Sequence, residues 1–78
     1  MTEAEARGLI YEILSGIAPE TDPATVSGDA DLREALDLDS MDFMNFIVAL
    51  HERTGIDVAE ADYPEFRTLN GALAYLGR

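Results

Sequence analysis

Few side chains in this sequence could do chemistry, and one hydroxyl stands apart from the rest. Ser40 lies in the run Asp37-Leu38-Asp39-Ser40-Met41-Asp42, directly ahead of the apolar stretch Phe43-Met44-Asn45-Phe46-Ile47-Val48-Ala49-Leu50. A serine nucleophile needs a base within hydrogen-bond reach. The single histidine, His51, falls about three helical turns further along the same segment, so a serine–histidine pair is ruled out by distance. The chain has no cysteine, which excludes disulfides and thiolate metal sites. Asp29 and Asp31 begin like a calcium loop, but Arg33 takes the next ligand position, no glycine follows at the sixth place, and Ser40 stands where the twelfth ligand belongs. His51 reads as a partly exposed helix residue, and Tyr11, Tyr63 and Tyr75 as packing residues with a wet hydroxyl. What remains is an activatable hydroxyl at a helix start, whose ordinary role is a cap.

The helix behind Ser40 spans 40–54 by pattern, stopped by Gly55. At roughly 100° per residue, Phe43, Phe46, Ile47 and Leu50 share one face, the usual core stripe. Met41, Met44 and Val48 fall nearly opposite, with Asp42, Asn45, Ala49 and Glu52 on the flank between. A chain this short builds two layers at most, so both stripes cannot be buried. The methionine stripe is expected outside, as an adaptable contact surface.

Other elements must hold that helix in place. Thr2 and Glu5 form a capping-box pattern for a first helix bearing Ala6, Leu9, Ile10, Ile13, Leu14 and Ile17, ended by Gly16 and Pro19. Gly8 inside it marks a close helix contact. Residues 18–36 form a long connection pinned by Val26 and Leu32, with a short helical turn from Asp31 to Leu36. Ile56, Val58 and Phe66 point inward, and Pro64 limits a short helix starting near Glu60 to about one turn. Thr68 caps a last helix with Leu69, Ala72, Leu73 and Leu76 inside. The expected fold is all-α: one domain over residues 1–78, a small bundle of three main helices and one short one, with a long loop between the first two main helices.

Composition narrows the function. Sixteen acids face five arginines, with no lysine, for a formal charge of −11. Such a field repels nucleic acid and anionic lipid and steers basic partners inward. An apolar content of 47% is too high for a disordered acidic tail. No stretch is long enough to cross a bilayer, and the acidic N-terminus is unlike an export signal. A cytoplasmic monomer is expected.

Acidity, size, the long first loop, the short third helix and Asp39-Ser40-Met41 at a mid-chain helix start together resemble the acyl carrier proteins of fatty-acid and polyketide synthesis. Ile47-Val48-Ala49-Leu50, Gly55-Ile56-Asp57-Val58 and Thr68-Leu69 continue the likeness along nearly the whole chain. The resemblance implies that Ser40 carries 4′-phosphopantetheine, donated by coenzyme A through a magnesium-dependent phosphopantetheinyl transferase. It implies acyl groups held as thioesters on the arm's thiol, and no turnover by the carrier itself. Asp39 would help the transferase recognise the site. Met41, Met44 and Val48, with the acidic Asp42 and Glu52, would meet acyl-loading and acyl-processing enzymes through their basic docking patches. A phosphodiester at a helix N-terminus is also electrostatically favoured. Asn45, where many fatty-acid carriers have an acid, and the bulky Phe43 depart from the family pattern. They leave specialised lipid, polyketide or amino-acyl and peptidyl pathways open beside fatty-acid synthesis. A separate class also fits the residues: an unmodified acidic adaptor whose methionine stripe docks a basic partner.

Overall fold

The first helix of the computed structural model, which describes Met1–Gly77, starts where its cap dictates. Thr2 Oγ1 accepts the Glu5 N–H at 3.1 Å, and the Glu5 carboxylate accepts the Thr2 N–H at 2.8 Å. Helix α1 (Glu3–Ile17) buries Ala6, Ile10, Ile13 and Leu14, with Leu9 and Ile17 half-buried at the edge. Two expectations about its glycines fail. Gly16 does not end the helix but lies within its last turn, and Ala18 caps it through an N–H bond to the Leu14 carbonyl at 2.8 Å. Packing of Ile17 and Ala18 against the core offsets the glycine's cost of about 1 kcal/mol. Gly8 makes no close contact either, since a methyl group there would meet nothing within 4 Å.

The long connection is held at several points. A 3₁₀ turn, Pro23–Thr25, is capped by Asp22, and α2 (Leu32–Ala35) is capped by Asp31. Leu32 is fully buried and Val26 half-buried, as their spacing predicts. The Gly28 carbonyl accepts the Asn70 N–H at 2.9 Å, and the Arg67 guanidinium pairs with Asp31. Both ties bind the connection to the far end of the chain.

Helix α3 (Ser40–Thr54) stops at Gly55, whose φ of 73° is left-handed and whose N–H bonds the His51 carbonyl at 2.7 Å. The segment beyond corrects the one-turn expectation. Glu60–Arg67 winds as 3₁₀ helix straight through Pro64. It is anchored on both sides of the proline: the Tyr75 hydroxyl donates to Asp62 at 2.9 Å, and Phe66 is wholly buried. Tertiary contacts thus extend what local propensity would end. The tighter 3₁₀ winding also does not need the i−4 bond that proline destroys in an α-helix.

Helix α4 (Leu69–Leu76), capped by Thr68, closes the bundle. Helix α1 packs on α3 and α4, and α4 packs on the 3₁₀ segment. No strand occurs among the described residues. One buried cluster fills the centre, and an aromatic row runs through it. Ring centroids lie 6.5 Å apart from Phe43 to Phe46, 6.4 Å from Phe46 to Phe66 in an edge-on arrangement, and 5.0 Å from Phe66 to Tyr75. Each such pair contributes about 0.5–1.5 kcal/mol beyond its buried area. The row fixes the opening turn of α3 relative to α4.

Candidate functional site

The backbone entering α3 is set by a turn that hydropathy patterns do not reveal. After α2 the Leu38 N–H bonds the Arg33 carbonyl at 2.8 Å, the Asp37 N–H lies 3.4 Å from the Glu34 carbonyl, and Asp37 adopts a φ of 54°. This is a Schellman-type ending with aspartate, rather than glycine, at the left-handed position. Leu36 and Leu38 are buried on either side of it and hold it there. Aspartate tolerates this conformation better than a branched residue would.

The reversal delivers Asp39, not Ser40, to the capping position. Asp39 Oδ1 accepts the Asp42 N–H at 2.8 Å, and Asp42 Oδ2 accepts the Asp39 N–H at 3.3 Å. The plain reading of Ser40 as the cap is therefore wrong. An acid followed three residues later by another acid was the signal for it. With the cap made next door, Ser40 is the first residue of the helix proper, and its side chain is exposed and free of that role.

One cation stands beside it. Arg33 Nη2 lies 3.4 Å from Ser40 Oγ, and its guanidinium sits over the Phe43 ring, 5.9 Å from the centroid. In the sequence Arg33 breaks the calcium-loop pattern, and nothing in its spacing sets it against Ser40. His51 is far away at the other end of α3, exposed, with Nδ1 3.0 Å from the Ile56 carbonyl and 3.3 Å from Asp57. No group of three or more potential metal ligands occurs among the described residues.

The two faces of α3 are as their periodicity predicts. Phe43, Phe46, Ile47 and Leu50 are buried, while Met41, Met44 and Val48 are 74%, 40% and 44% exposed. Asn45 and Glu52 are exposed beside them and Asp42 is half-buried. Asp39, Ser40, Met41, Met44 and Val48 thus share the open side of one helix.

Comparison with known proteins agrees with this geometry. The phosphopantetheine attachment site family matches residues 9–76. Acyl carrier protein 2 of Ralstonia nicotianae is 36% identical over 76 residues, covering 94% of this chain and 89% of that one. The chain belongs to the acyl carrier protein family. Polyketide-8 synthase acyl carrier protein 2 of Streptomyces avermitilis is 30% identical over 76 residues, covering 97% of this carrier and 82% of its own length. In three dimensions the carrier resembles the acyl carrier protein of Enterococcus faecalis, with a TM-score of 0.73 over 97% of this chain and 95% of that one at 22% identity. The fold is shared despite that low identity.

The protein is thus a carrier of acyl groups on covalently attached 4′-phosphopantetheine. Its residues suit the group: an exposed hydroxyl at the start of a fifteen-residue helix, relieved of capping, beside a guanidinium. When bound, the group supplies a terminal thiol, the one functional group for thioester chemistry that a cysteine-free chain lacks. No helix among the described residues is long and apolar enough to cross a membrane.

Proposed function

We propose that Ser40 is the attachment residue and that the open face of α3 is where partner enzymes dock. The carrying observation is the division of labour at the helix start. Asp39 and Asp42 make the reciprocal cap bonds without Ser40, so derivatising Ser40 Oγ removes no capping hydrogen bond. In the modification, Ser40 Oγ attacks the β-phosphorus of coenzyme A. A new O–P bond forms, the pyrophosphate bond breaks, adenosine 3′,5′-bisphosphate leaves, and the serine proton goes to a base of the transferase. Among the described residues, no carboxylate or imidazole of the carrier hydrogen-bonds Ser40 Oγ. The side chain in hydrogen-bond contact with Ser40 Oγ is Arg33, a cation that accepts no proton. This supports a shuttle with no turnover of its own.

The exposed Met41, Met44 and Val48 present polarizable surface that different enzymes can fit against. Asp39, Asp42 and Glu52 rim it with negative charge for basic docking patches. The partners on this reading are the phosphopantetheinyl transferase and enzymes that load and process acyl chains of fatty-acid, specialised lipid or polyketide synthesis. Asn45, uncharged on the same face, supports a dedicated partner set.

Intact mass after co-expression with a phosphopantetheinyl transferase tests the assignment. The wild-type chain gains one prosthetic group. Ser40→Ala gains none and keeps its thermal midpoint, because an exposed residue that caps nothing changes stability by no more than about 0.5 kcal/mol. A gain in Ser40→Ala would place the arm elsewhere, and no gain in the wild type would leave the unmodified acidic adaptor.

A further inference from the structure

We propose that Arg33 is a built-in clamp for the phosphodiester on Ser40, holding the root of the arm against the carrier's own surface. The inference rests on Ser40 being the attachment residue. Charge pairing leads to it first. Three arginines among the described residues are matched with carboxylates: Arg7 with Glu3, Arg53 with Glu12 and Arg67 with Asp31. Arg33 makes no such pair among the described residues, although the chain carries sixteen acids. An arginine left without a carboxylate in so acidic a protein is poised for a different anion.

The surroundings of Arg33 fix where that anion would be. Its backbone carbonyl is held by the turn through Leu38, and its side chain is half-buried. The guanidinium lies over Phe43 at cation–π distance, and that ring belongs to the aromatic row. An arginine held over an aromatic ring by a cation–π contact still has N–H groups to donate and loses less further entropy when they are used. Nη2 of Arg33 is directed at Ser40, 3.4 Å from Oγ. That is longer than a good N–H···O bond, so the bare hydroxyl does not satisfy it. A phosphodiester would add two non-bridging acceptor oxygens, sharing one negative charge, on the phosphorus bonded to Oγ, a pair that a guanidinium can bind in bidentate fashion.

A clamp also answers an electrostatic problem. Asp37, Asp39 and Asp42 flank Ser40 in sequence, all three carrying formal negative charge at neutral pH. A further negative charge on Ser40 is repelled by them, and Arg33 is the cation in contact with that position. Phosphate and guanidinium would then set the direction in which the arm leaves the protein, which governs how it enters a partner's active site.

The test compares thermal midpoints of apo and holo forms, so that any purely structural role of Arg33 cancels. For the wild type, the holo-minus-apo difference should exceed that of Arg33→Gln by about 4 °C, the shift expected for a single favourable interaction in a domain of this size. Arg33→Lys should restore part of it, because charge is kept while the planar fork is lost. A difference unchanged by Arg33→Gln overturns the clamp. If Arg33→Gln does not fold, phosphorus NMR of the wild-type holo protein decides. Clamping predicts ³¹P relaxation typical of the folded body at low salt and faster local motion at high salt, and salt-independent relaxation overturns it. Mass measured on the same samples separates the two readings. No mass gain on Ser40 removes the attachment assignment and the clamp with it, whereas a gain with an unchanged midpoint difference removes the clamp alone.

Discussion

Single side chains do unequal work around the start of α3. Asp31 shows this best, because it does two jobs at once: it caps α2 through the Arg33 and Glu34 N–H groups and pairs with Arg67 across the fold. Desolvation raises its pKa, but the Arg67 hydrogen bond and charge and the two backbone N–H bonds together outweigh that, so its carboxyl titrates below the ordinary range. A depressed folded-state pKa contributes stability that is fully present above the unfolded value of about 3.9 and is lost as pH falls through the folded value. Asp31→Asn keeps the cap and removes the charge. The variant should therefore be less stable than wild type at neutral pH, and the two should converge as the pH drops below about 4. Urea midpoints measured across a pH series check this, and a constant gap at all pH values would show that the ionic tie to Arg67 is not its source.

At the scale of elements, two glycines inside helices behave oppositely in the structure. Gly71, in the first turn of α4, lies where the 3₁₀ segment crosses: a Cβ there would stand 2.1 Å from the Glu65 carbonyl oxygen. Backbone cannot yield as a flexible side chain can, so Gly71→Ala should cost about 1–3 kcal/mol as overpacking. Gly8 faces open space inside α1, and Gly8→Ala should stabilise the protein by roughly 0.5–1 kcal/mol through helix propensity and a less flexible unfolded chain. Thermal melts of the two variants should move in opposite directions. Legibility differs between elements in the same way. Helices α1, α3 and α4 carry caps and apolar stripes that spell out their faces, so Thr2, Gly55 and Thr68 mark their bounds in the letters alone. The 3₁₀ segment through Pro64 did not announce its length, because Tyr75 and the burial of Phe66, not local propensity, sustain it.

Across the whole molecule, a formal charge of −11 on so small a body makes association with basic partners a long-range electrostatic event. Rates of docking to the transferase should fall steeply as salt rises, since exposed charges are screened over about 8 Å at physiological ionic strength. Met44→Glu separates this steering from contact. Because Met44 is 40% exposed, the variant should fold with a midpoint close to wild type. It should transfer more slowly through lost apolar contact even though the protein becomes more acidic. Stopped-flow association at several salt concentrations reads both effects; an unfolded Met44→Glu would mean that the faces of α3 are reversed.

Periodicity alone determined the helical fold and the buried and open faces of α3, and the sequence places Ser40 at the start of that helix. These are properties of neighbours on one element, which a sequence records directly. The cap had a local signal in the Asp39–Asp42 spacing, but the turn that presents it, and which cation stands beside the serine, were decided by tertiary structure. Asp39 reaches the capping position only because Leu36 and Leu38 bury themselves around a left-handed Asp37. Arg33 reaches Ser40 only because the same reversal folds α2 back onto the opening turn of α3, where Phe43 receives the guanidinium. Contacts made by a chain turning on itself depend on the backbone path, and that path is set by the packing of the whole core.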